Sequence, residues 1–309
     1  MVSMTDPSTE DDLLGRSLRW ARECAQFAAL PFAPTQSERL GRLYDIVGTK
    51  NLFGEESLFI NLGYWKNRPA TLDEASADLA RLVGREAALV EGDTVLDVGC
   101  GYGDQDILWA TEFGPTEIIG VNVATEQIAI SSARVRERGL DDRIRYVNAS
   151  AMDLPREDGT CSKVIALESA FHFPSHTKFF AEAHRVLEPG GRLVTADIVP
   201  RDSTLAAAAR RSFERAGRWR MPLAVFAKDF LDADRYRSAL LAAGFDSARV
   251  YSIRDYVYSP LATFLRKRLR DSDMRQVNPL LRLAFSTTGV RMWSPSVDYI
   301  IAIADKKQA

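Results

Sequence analysis

The chain has 309 residues, with 40 Lys and Arg against 42 Asp and Glu, and it contains only three cysteines. This near balance of charge gives no electrostatic reason to expect a nucleic acid or an anionic membrane as the partner. The cysteines are widely spaced and odd in number, and neither a signal peptide nor an apolar run of membrane-spanning length is recognisable, so we expect a cytoplasmic protein in a reducing compartment.

The N-terminal part is predicted to form a disordered tail followed by a helical cap. Residues 1–12 are rich in Ser, Thr and acids, a composition typical of disorder. Residues 13–85 carry apolar side chains at helical spacing in two stretches, and Thr71 with Glu74 forms a capping box that starts a third helix. We therefore expect this region to precede the main domain as a cap of helices.

Strand and helix patterns alternate along residues 86–200. The β-rich runs cover 94–98, 117–123, 144–148, 162–167 and 192–197. This alternation predicts a doubly wound α/β fold with a parallel, Rossmann-like sheet. Because the crossovers are right-handed, the carboxyl ends of the strands share one edge, where ligands bind.

Residues 201–309 are predicted to complete the sheet and to cover that edge. Two late strands, 248–252 and 299–304, bring the sheet to seven strands, mostly parallel. Residues 201–227 and the helical segment between the two strands are expected to act as lid insertions over the crevice.

A glycine-rich turn follows the first predicted strand, with three glycines at alternate positions from Gly99. Glycines let the backbone turn sharply and approach a ligand closely. The dinucleotide fingerprint is G-x-G-x-x-G, and it places a pyrophosphate on the N-terminus of a helix. Here the spacing differs, and Asp97, Asp104 and Asp106 would repel a pyrophosphate. The acidic edge favours a ligand with a sulfonium, S-adenosylmethionine, over NAD.

Four segments resemble motifs of the class I S-adenosylmethionine-dependent methyltransferases. They are the glycine loop from Asp97, residues 120–123 with Gln127, residues 150–155 and the L-x-P-G-G turn within 187–193. The resemblance implies S-adenosylmethionine as cofactor and S-adenosylhomocysteine as product. The cofactor-binding residues that it implies are Tyr44, Tyr64, Trp65, Asp97, Gly99, Gly101, Asn122, Val123, Gln127, Ser150, Ala151, Met152 and Leu167. Asn122 and Ser150 depart from the family pattern, because acids are common at these two positions.

Further segments resemble those of natural-product sugar O-methyltransferases. They lie at 61–65, 103–106, 167–172 and 243–245. This resemblance implies a small-molecule acceptor, and favours a hydroxyl on a sugar or polyketide secondary metabolite. Transfer to a carbon of an isoprenoid or lipid is the alternative, and a non-catalytic cofactor-binding protein is a third reading. The sequence leaves homo-oligomerisation open.

Three side chains at the ends of the fourth and fifth strands are candidates for the chemistry of transfer. Methyl transfer needs alignment of the reacting atoms, and a hydroxyl acceptor gains from a base. We expect His172 to be that base, because imidazole titrates near neutral pH. Asp197 is expected to orient the imidazole or bind a substrate hydroxyl. Glu168 is expected to contact cofactor or substrate, and to take a proton if the acceptor is an alkene carbon.

The remaining predictions concern a basic run, two further histidines and metal binding. A basic run at 266–270 is expected to form a solvated helix face, with a grip on a diphosphate substrate as the alternative. No role is predicted for His176 or His184. No cluster of His, Cys and carboxylates has metal-ligand spacing, so no metal is expected.

Overall fold

The computed structural model describes residues 13–201 and 231–308. Within these ranges the strands are β1 Thr94–Val98, β2 Glu117–Asn122, β3 Ile144–Asn148, β4 Cys161–Leu167, β5 Leu187–Pro200, β6 Ser247–Ser252 and β7 Val297–Asp305. They form one sheet in the order β3-β2-β1-β4-β5-β7-β6, and only β7 runs antiparallel to its neighbours. The predicted doubly wound, mostly parallel seven-stranded sheet is confirmed. The tail at 1–12 and most of the 201–227 lid stretch lie outside the described residues.

The helices lie on both faces of the sheet and over its carboxyl edge. They are α1 Leu13–Ala29, α2 Gln36–Val47, α3 Leu72–Glu86, α4 Asp104–Glu112, α5 Thr125–Glu137, α6 His176–Val186, α7 Ala233–Ala242, α8 Tyr258–Arg268, α9 Pro279–Ala284 and α10 Thr287–Trp293. The predicted cap of α3 is present, since Glu74 N donates to Thr71 Oγ1 at 3.1 Å. None of the described helices is long and apolar enough to cross a membrane.

Strand β5 is longer than its apolar pattern predicts. It pairs with β4 on one side, and on the other it pairs with β7 continuously from Arg192–Asp305 to Pro200–Val297. The ladder satisfies backbone groups well past residue 197, so the strand continues to Pro200, although the local sequence does not require it. This extension carries the end of β5 into the region where the ligand-binding edge is covered.

A buried polar network joins the N-terminal cap to the late helices. The Glu23 carboxylate accepts from Asn51 Nδ2 at 3.2 Å and from Asn278 Nδ2 at 2.7 Å, and Asn278 N donates to Asn51 Oδ1 at 2.7 Å. Trp20 Nε1 adds a bond to the carbonyl oxygen of Gln276 at 3.0 Å. Satisfied buried networks specify how their elements pack. Helices α1, α2 and α8–α10 therefore form one cover over the carboxyl edge of the sheet.

Candidate active site

Two cavities lie side by side at the carboxyl edge of the sheet. The first, of about 860 Å³, lies against the ends of β1, β2 and β4, and we call it the glycine-loop cavity. The second, of about 2020 Å³, lies between the sheet edge, α2 and helices α8–α10, and we call it the apolar cavity. Five residues line both cavities and form what we call the junction: Tyr44, Ile60, Asn61, Glu168 and His172.

Most residues predicted to bind the cofactor line the glycine-loop cavity. They are Tyr44, Gly99, Gly101, Asn122, Val123, Gln127, Ser150, Ala151 and Leu167. Gly99 has a φ of +89°, and a Cβ added there would lie 2.3 Å from the Cβ of Ser169. Ser169 Oγ in turn donates to the carbonyl oxygen of Val98 at 2.6 Å. The loop packs so closely on the residues after β4 that position 99 requires glycine.

Amide side chains occupy the end of β2, where the family commonly has an acid. Asn122 Nδ2 donates to Gln127 Oε1 at 2.7 Å, and Asn122 Oδ1 accepts from Ala124 N at 3.2 Å. Gln127 Nε2 is buried and has no hydrogen-bond partner among the described residues, although the residue lines the cavity. An unpaired buried donor is costly unless a ligand completes it. This donor and the open glycine loop fit the ribose and adenine acceptors of S-adenosylmethionine.

The three aspartates of the glycine loop do not form the acidic rim that the sequence predicts. Asp104 is paired with Arg134, whose guanidinium nitrogens lie 2.5 and 2.8 Å from its oxygens. Asp97 and Asp106 are fully buried beneath the loop and line neither cavity. Burial and their mutual repulsion raise the pKa of Asp106 well above its usual range, which favours the neutral form of this carboxyl. The argument from local charge is therefore wrong, although its conclusion about the cofactor is right.

Three further residues predicted to contact the cofactor lie elsewhere, two of them buried and one half-buried. Tyr64 packs edge-on against Tyr256, and Trp65 packs against Phe264 while its Nε1 donates to the carbonyl oxygen of Leu62 at 3.0 Å. Met152 packs on the apolar core beside the sheet. None of the three lines the glycine-loop cavity. Tyr64 and Trp65 are buried against protein and Met152 packs half-buried on the core, outside the cavity, which corrects the prediction for all three.

The junction places a tyrosine against the predicted base. Tyr44 Oη lies 2.6 Å from His172 Nε2, and the two rings meet edge to face. Tyr44 comes from α2, whereas His172 belongs to the turn that follows β4. Burial and the nearby Glu168 raise the pKa of Tyr44, so the phenol stays protonated and can donate to the imidazole when His172 Nε2 carries no hydrogen. The pair can pass a proton from the junction to His172.

Glu168 ends β4 in a strained conformation and holds the loop at 60–65. Its φ is +52°, a left-handed value that is uncommon outside glycine. Its Oε2 accepts from Leu62 N at 2.9 Å and from Tyr299 Oη at 2.7 Å. Burial raises the pKa of Glu168 to about 8, against the two hydrogen bonds, which lower it. In the ligand-free protein this carboxyl is mostly protonated at neutral pH.

This raised pKa makes the stability of the ligand-free protein depend on pH. A group whose pKa is higher in the folded state takes up a proton on folding, so its contribution is lost as pH rises towards about 8. We expect the free energy of unfolding to fall between about pH 5 and pH 8, and to fall less in Glu168→Gln. Urea denaturation across this range checks the prediction, with Glu112→Gln as the control because Arg81 lowers the pKa of Glu112. Equal pH slopes for Glu168→Gln and the wild type would contradict it.

Asp197 does not orient His172, which corrects another prediction. Its Oδ1 accepts from Phe171 N at 2.9 Å and from Ile198 N at 3.0 Å, and its Oδ2 lies 3.1 Å from His176 Nε2. Asp197 and His176 are buried and line neither cavity. The carboxylate therefore positions the backbone of the turn that carries His172. His176, which has no role in the sequence prediction, is its partner.

The apolar cavity contains little that could bind a strongly charged ligand. Its walls are mainly aliphatic and aromatic, with Phe53, Phe59, Phe285 and Trp293 among them, and no Lys or Arg of the described residues lines it. The guanidinium of Arg268 is instead bound by Asp271 and Asp273 and by the carbonyl oxygens of Phe53 and Gly54. The alternative of a basic grip on a diphosphate at 266–270 is therefore not supported, and the cavity fits a bulky, apolar acceptor.

The strand order, the glycine loop and the adjoining acceptor-sized cavity define a class I S-adenosylmethionine-dependent methyltransferase. A family model described as a methyltransferase domain matches residues 96–195. The chain is 33% identical to erythromycin 3''-O-methyltransferase of Saccharopolyspora erythraea, over 88% of this chain and 92% of that protein. It is 30% identical to 27-O-demethylrifamycin SV methyltransferase of Amycolatopsis mediterranei, over 88% of this chain and 98% of the relative.

Solved structures share the fold. The (4+2) cyclase SpnF superposes with a TM-score of 0.72 and 26% identity, covering 90% of this chain and 98% of that one. Geranyl diphosphate C-methyltransferase of Streptomyces coelicolor has a TM-score of 0.59 at 20% identity, over 77% of this chain and 78% of that one, and shares the fold. The chain belongs to the S-adenosylmethionine-dependent methyltransferases and is similar to the natural-product O-methyltransferases among them. Its cofactor is S-adenosylmethionine.

Proposed function

We propose that the protein methylates a hydroxyl on a large, apolar secondary metabolite of the polyketide or glycosylated polyketide class. The observation that carries this proposal is the junction, where Tyr44, Glu168 and His172 line both the glycine-loop cavity and the apolar cavity. A methyl donor in one cavity and an acceptor in the other would meet beside these side chains. The relatives named for macrolide and rifamycin O-methylation support the same acceptor class.

The cofactor would be held by groups that surround the glycine-loop cavity. The loop at 99–101 would contact its methionine part, and the amides of Asn122 and Gln127 would bind the ribose and neighbouring atoms. When bound, the cofactor supplies an activated methyl group on a sulfonium. The chain's own task is to align the acceptor oxygen and to receive its proton.

The proton would leave through Tyr44 and His172. The acceptor hydroxyl would become acidic as it is methylated, and it would give its proton to Tyr44 Oη. Tyr44 gives its own proton to His172 Nε2 at 2.6 Å, so the sulfonium charge lost from the donor reappears as an imidazolium. Charge and atoms balance without a metal or a second reactant.

Glu168 would have a supporting role in O-methylation. Its Oε2 binds the loop at 60–65 and Tyr299, so it shapes the junction while Tyr44 and His172 carry the proton. If the acceptor were an alkene carbon, Glu168 would be the base that removes a proton from the resulting cation. Glu168→Gln would then abolish transfer, and Tyr44→Phe would retain it.

The test is a methyl-transfer assay with S-adenosylmethionine carrying a labelled methyl group. The acceptor panel should contain hydroxylated macrolides, ansamycins, other polyketides and isoprenoid alcohols, with products analysed by mass spectrometry and NMR. We expect a product heavier by one methyl group, attached to oxygen, from a polyketide acceptor. A product labelled on carbon would establish the alternative, and a rearranged product without label would point to a cyclase such as SpnF. Turnover of isoprenoids alone would overturn the proposal.

A further inference from the structure

Asn61 carries a hydrogen-bond donor that the protein itself does not use. The residue lines both cavities at the junction and is 5% exposed. Its Oδ1 accepts from Gly63 N at 2.9 Å, which identifies the other atom of the amide as Nδ2. Nδ2 is buried and has no partner among the described residues. Such a donor is costly in an empty site, and the cost is recovered when a ligand supplies an acceptor atom.

The surrounding contacts keep this amide in place. On one side Leu62 N donates to Glu168 Oε2 at 2.9 Å, and on the other Ser76 Oγ donates to the carbonyl oxygen of Asn61 at 3.4 Å. Tyr64 N donates to the carbonyl oxygen of Ala75 at 2.8 Å. The loop is thus tied both to the end of β4 and to α3. A donor held in this way is preorganised for a ligand at the junction.

Apart from the exposed Ser296, the other polar side chains of the apolar cavity make hydrogen bonds within the protein. Tyr44 and His172 bond each other, and Glu168 Oε2 accepts from Leu62 and Tyr299. The amide of Asn51 is bound by Glu23, Asn278 and the carbonyl oxygen of Ile46. Among the described residues, Asn61 Nδ2 is therefore the buried amide donor of this cavity that has no partner, and Gln127 Nε2 is its counterpart in the glycine-loop cavity.

We propose that Asn61 Nδ2 donates a hydrogen bond to an oxygen of the acceptor, a carbonyl, ether or second hydroxyl, and so selects oxygenated acceptors and orients them for transfer. Asn61 is then a specificity-determining residue. The proposal rests on the apolar cavity being the acceptor site of the proposed function. It makes a prediction about binding that does not require turnover.

The experiment compares two probes of matched shape, 2-acetylnaphthalene and 2-isopropylnaphthalene, by calorimetry with S-adenosylhomocysteine present. The first carries a carbonyl oxygen where the second carries a methyl group. We expect the wild type to prefer the ketone, and Asn61→Ser to lose this preference by about fivefold or more. Serine can still accept from Gly63 N, so the turn is kept, and its hydroxyl lies one bond closer to the backbone than Nδ2 and does not reach the same position. Ser76→Ala is the matched control, because it touches the same backbone without changing the donor.

Two further measurements separate the alternatives. The thermal midpoint of ligand-free Asn61→Ser should equal or exceed that of the wild type, because the lost donor was unpaired; a clear drop would show a structural role and overturn the proposal. The Kd for S-adenosylhomocysteine should be unchanged, and a weakening equal to that for the ketone would assign Asn61 to the cofactor instead.

An unchanged ketone preference overturns the proposal even if O-methylation is observed. A lost preference supports it even if the acceptor panel fails.

Discussion

Replacing His172 with alanine is expected to lower kcat for methyl transfer by about 10²- to 10⁴-fold, the usual contribution of a general base. In the wild type, His172 Nε2 lies 2.6 Å from Tyr44 Oη and would receive the proton that leaves the acceptor. Alanine at position 172 cannot receive it. The Kd for S-adenosylmethionine should change little, since the glycine loop and Gln127 remain. Single-turnover kinetics with the labelled donor, together with calorimetry, measure both quantities.

Tyr44→Phe distinguishes a relay from direct deprotonation by His172. If the proton passes through Tyr44, removal of its hydroxyl should cost nearly as much as removal of the imidazole, and the double variant should be no worse than either single one. His184→Gln is the matched control, because His184 lies on α6 against Phe245, away from both cavities. Full activity in His172→Ala would remove the base from the mechanism, and full activity in Tyr44→Phe would remove the relay.

Gly99→Ala is expected to cause the second large effect, on cofactor affinity and on stability together. The new Cβ would lie 2.3 Å from the Cβ of Ser169, at a φ of +89° that disfavours alanine. We expect a loss of about 2–4 kcal/mol in the free energy of unfolding, from backbone strain and overpacking combined. The Kd for S-adenosylmethionine should rise at least about tenfold, because the displaced loop no longer fits the ligand. Urea denaturation and calorimetry provide the two measurements.

Gly92→Ala is the matched control for this prediction. Gly92 has a similar φ of +95°, but nothing lies within 4 Å of the added Cβ. Gly92→Ala should therefore lower the free energy of unfolding only by the backbone strain, about 1–2 kcal/mol, and leave the cofactor affinity unchanged. Ser169→Gly combined with Gly99→Ala should recover part of the stability, because Ser169→Gly removes the Cβ with which the new alanine Cβ would clash. Equal losses for Gly92→Ala and Gly99→Ala would show that close packing on Ser169 is unimportant.

Some parts of the site were predictable because their signals are local. The glycine spacing, the β-rich runs and the order of the motifs lie within short segments, and these segments predicted the sheet, the loop and part of the lining of the glycine-loop cavity. Gln127 and Asn122 lie together at the glycine-loop cavity because a strand end and the helix after it are close in sequence as well as in space. The boundaries of β5 were missed, because its length depends on pairing with β7, about a hundred residues further along the chain.

The pattern of charged residues in the sequence predicted the electrostatics of the glycine loop incorrectly. The sequence places three carboxyl groups beside one turn, those of Asp97, Asp104 and Asp106. Arg134, thirty residues away in the chain, pairs with Asp104, and burial raises the pKa of Asp106. Neither effect can be read from a linear pattern, because the charge state depends on solvent exposure and on partners brought in by folding.

By itself the sequence determined the class of protein, the cofactor and the position of the ligand edge, since each follows from residues near one another in the chain. The tertiary structure decided which side chains act together: Tyr44 with His172, Asp197 with His176, and Asn61 between two cavities. These partners come from different elements, and only the packing of the helical cap and the paired strands sets the distances between them. Hydrogen bonds act over about 3 Å, so a role that depends on such a contact is decided by folding.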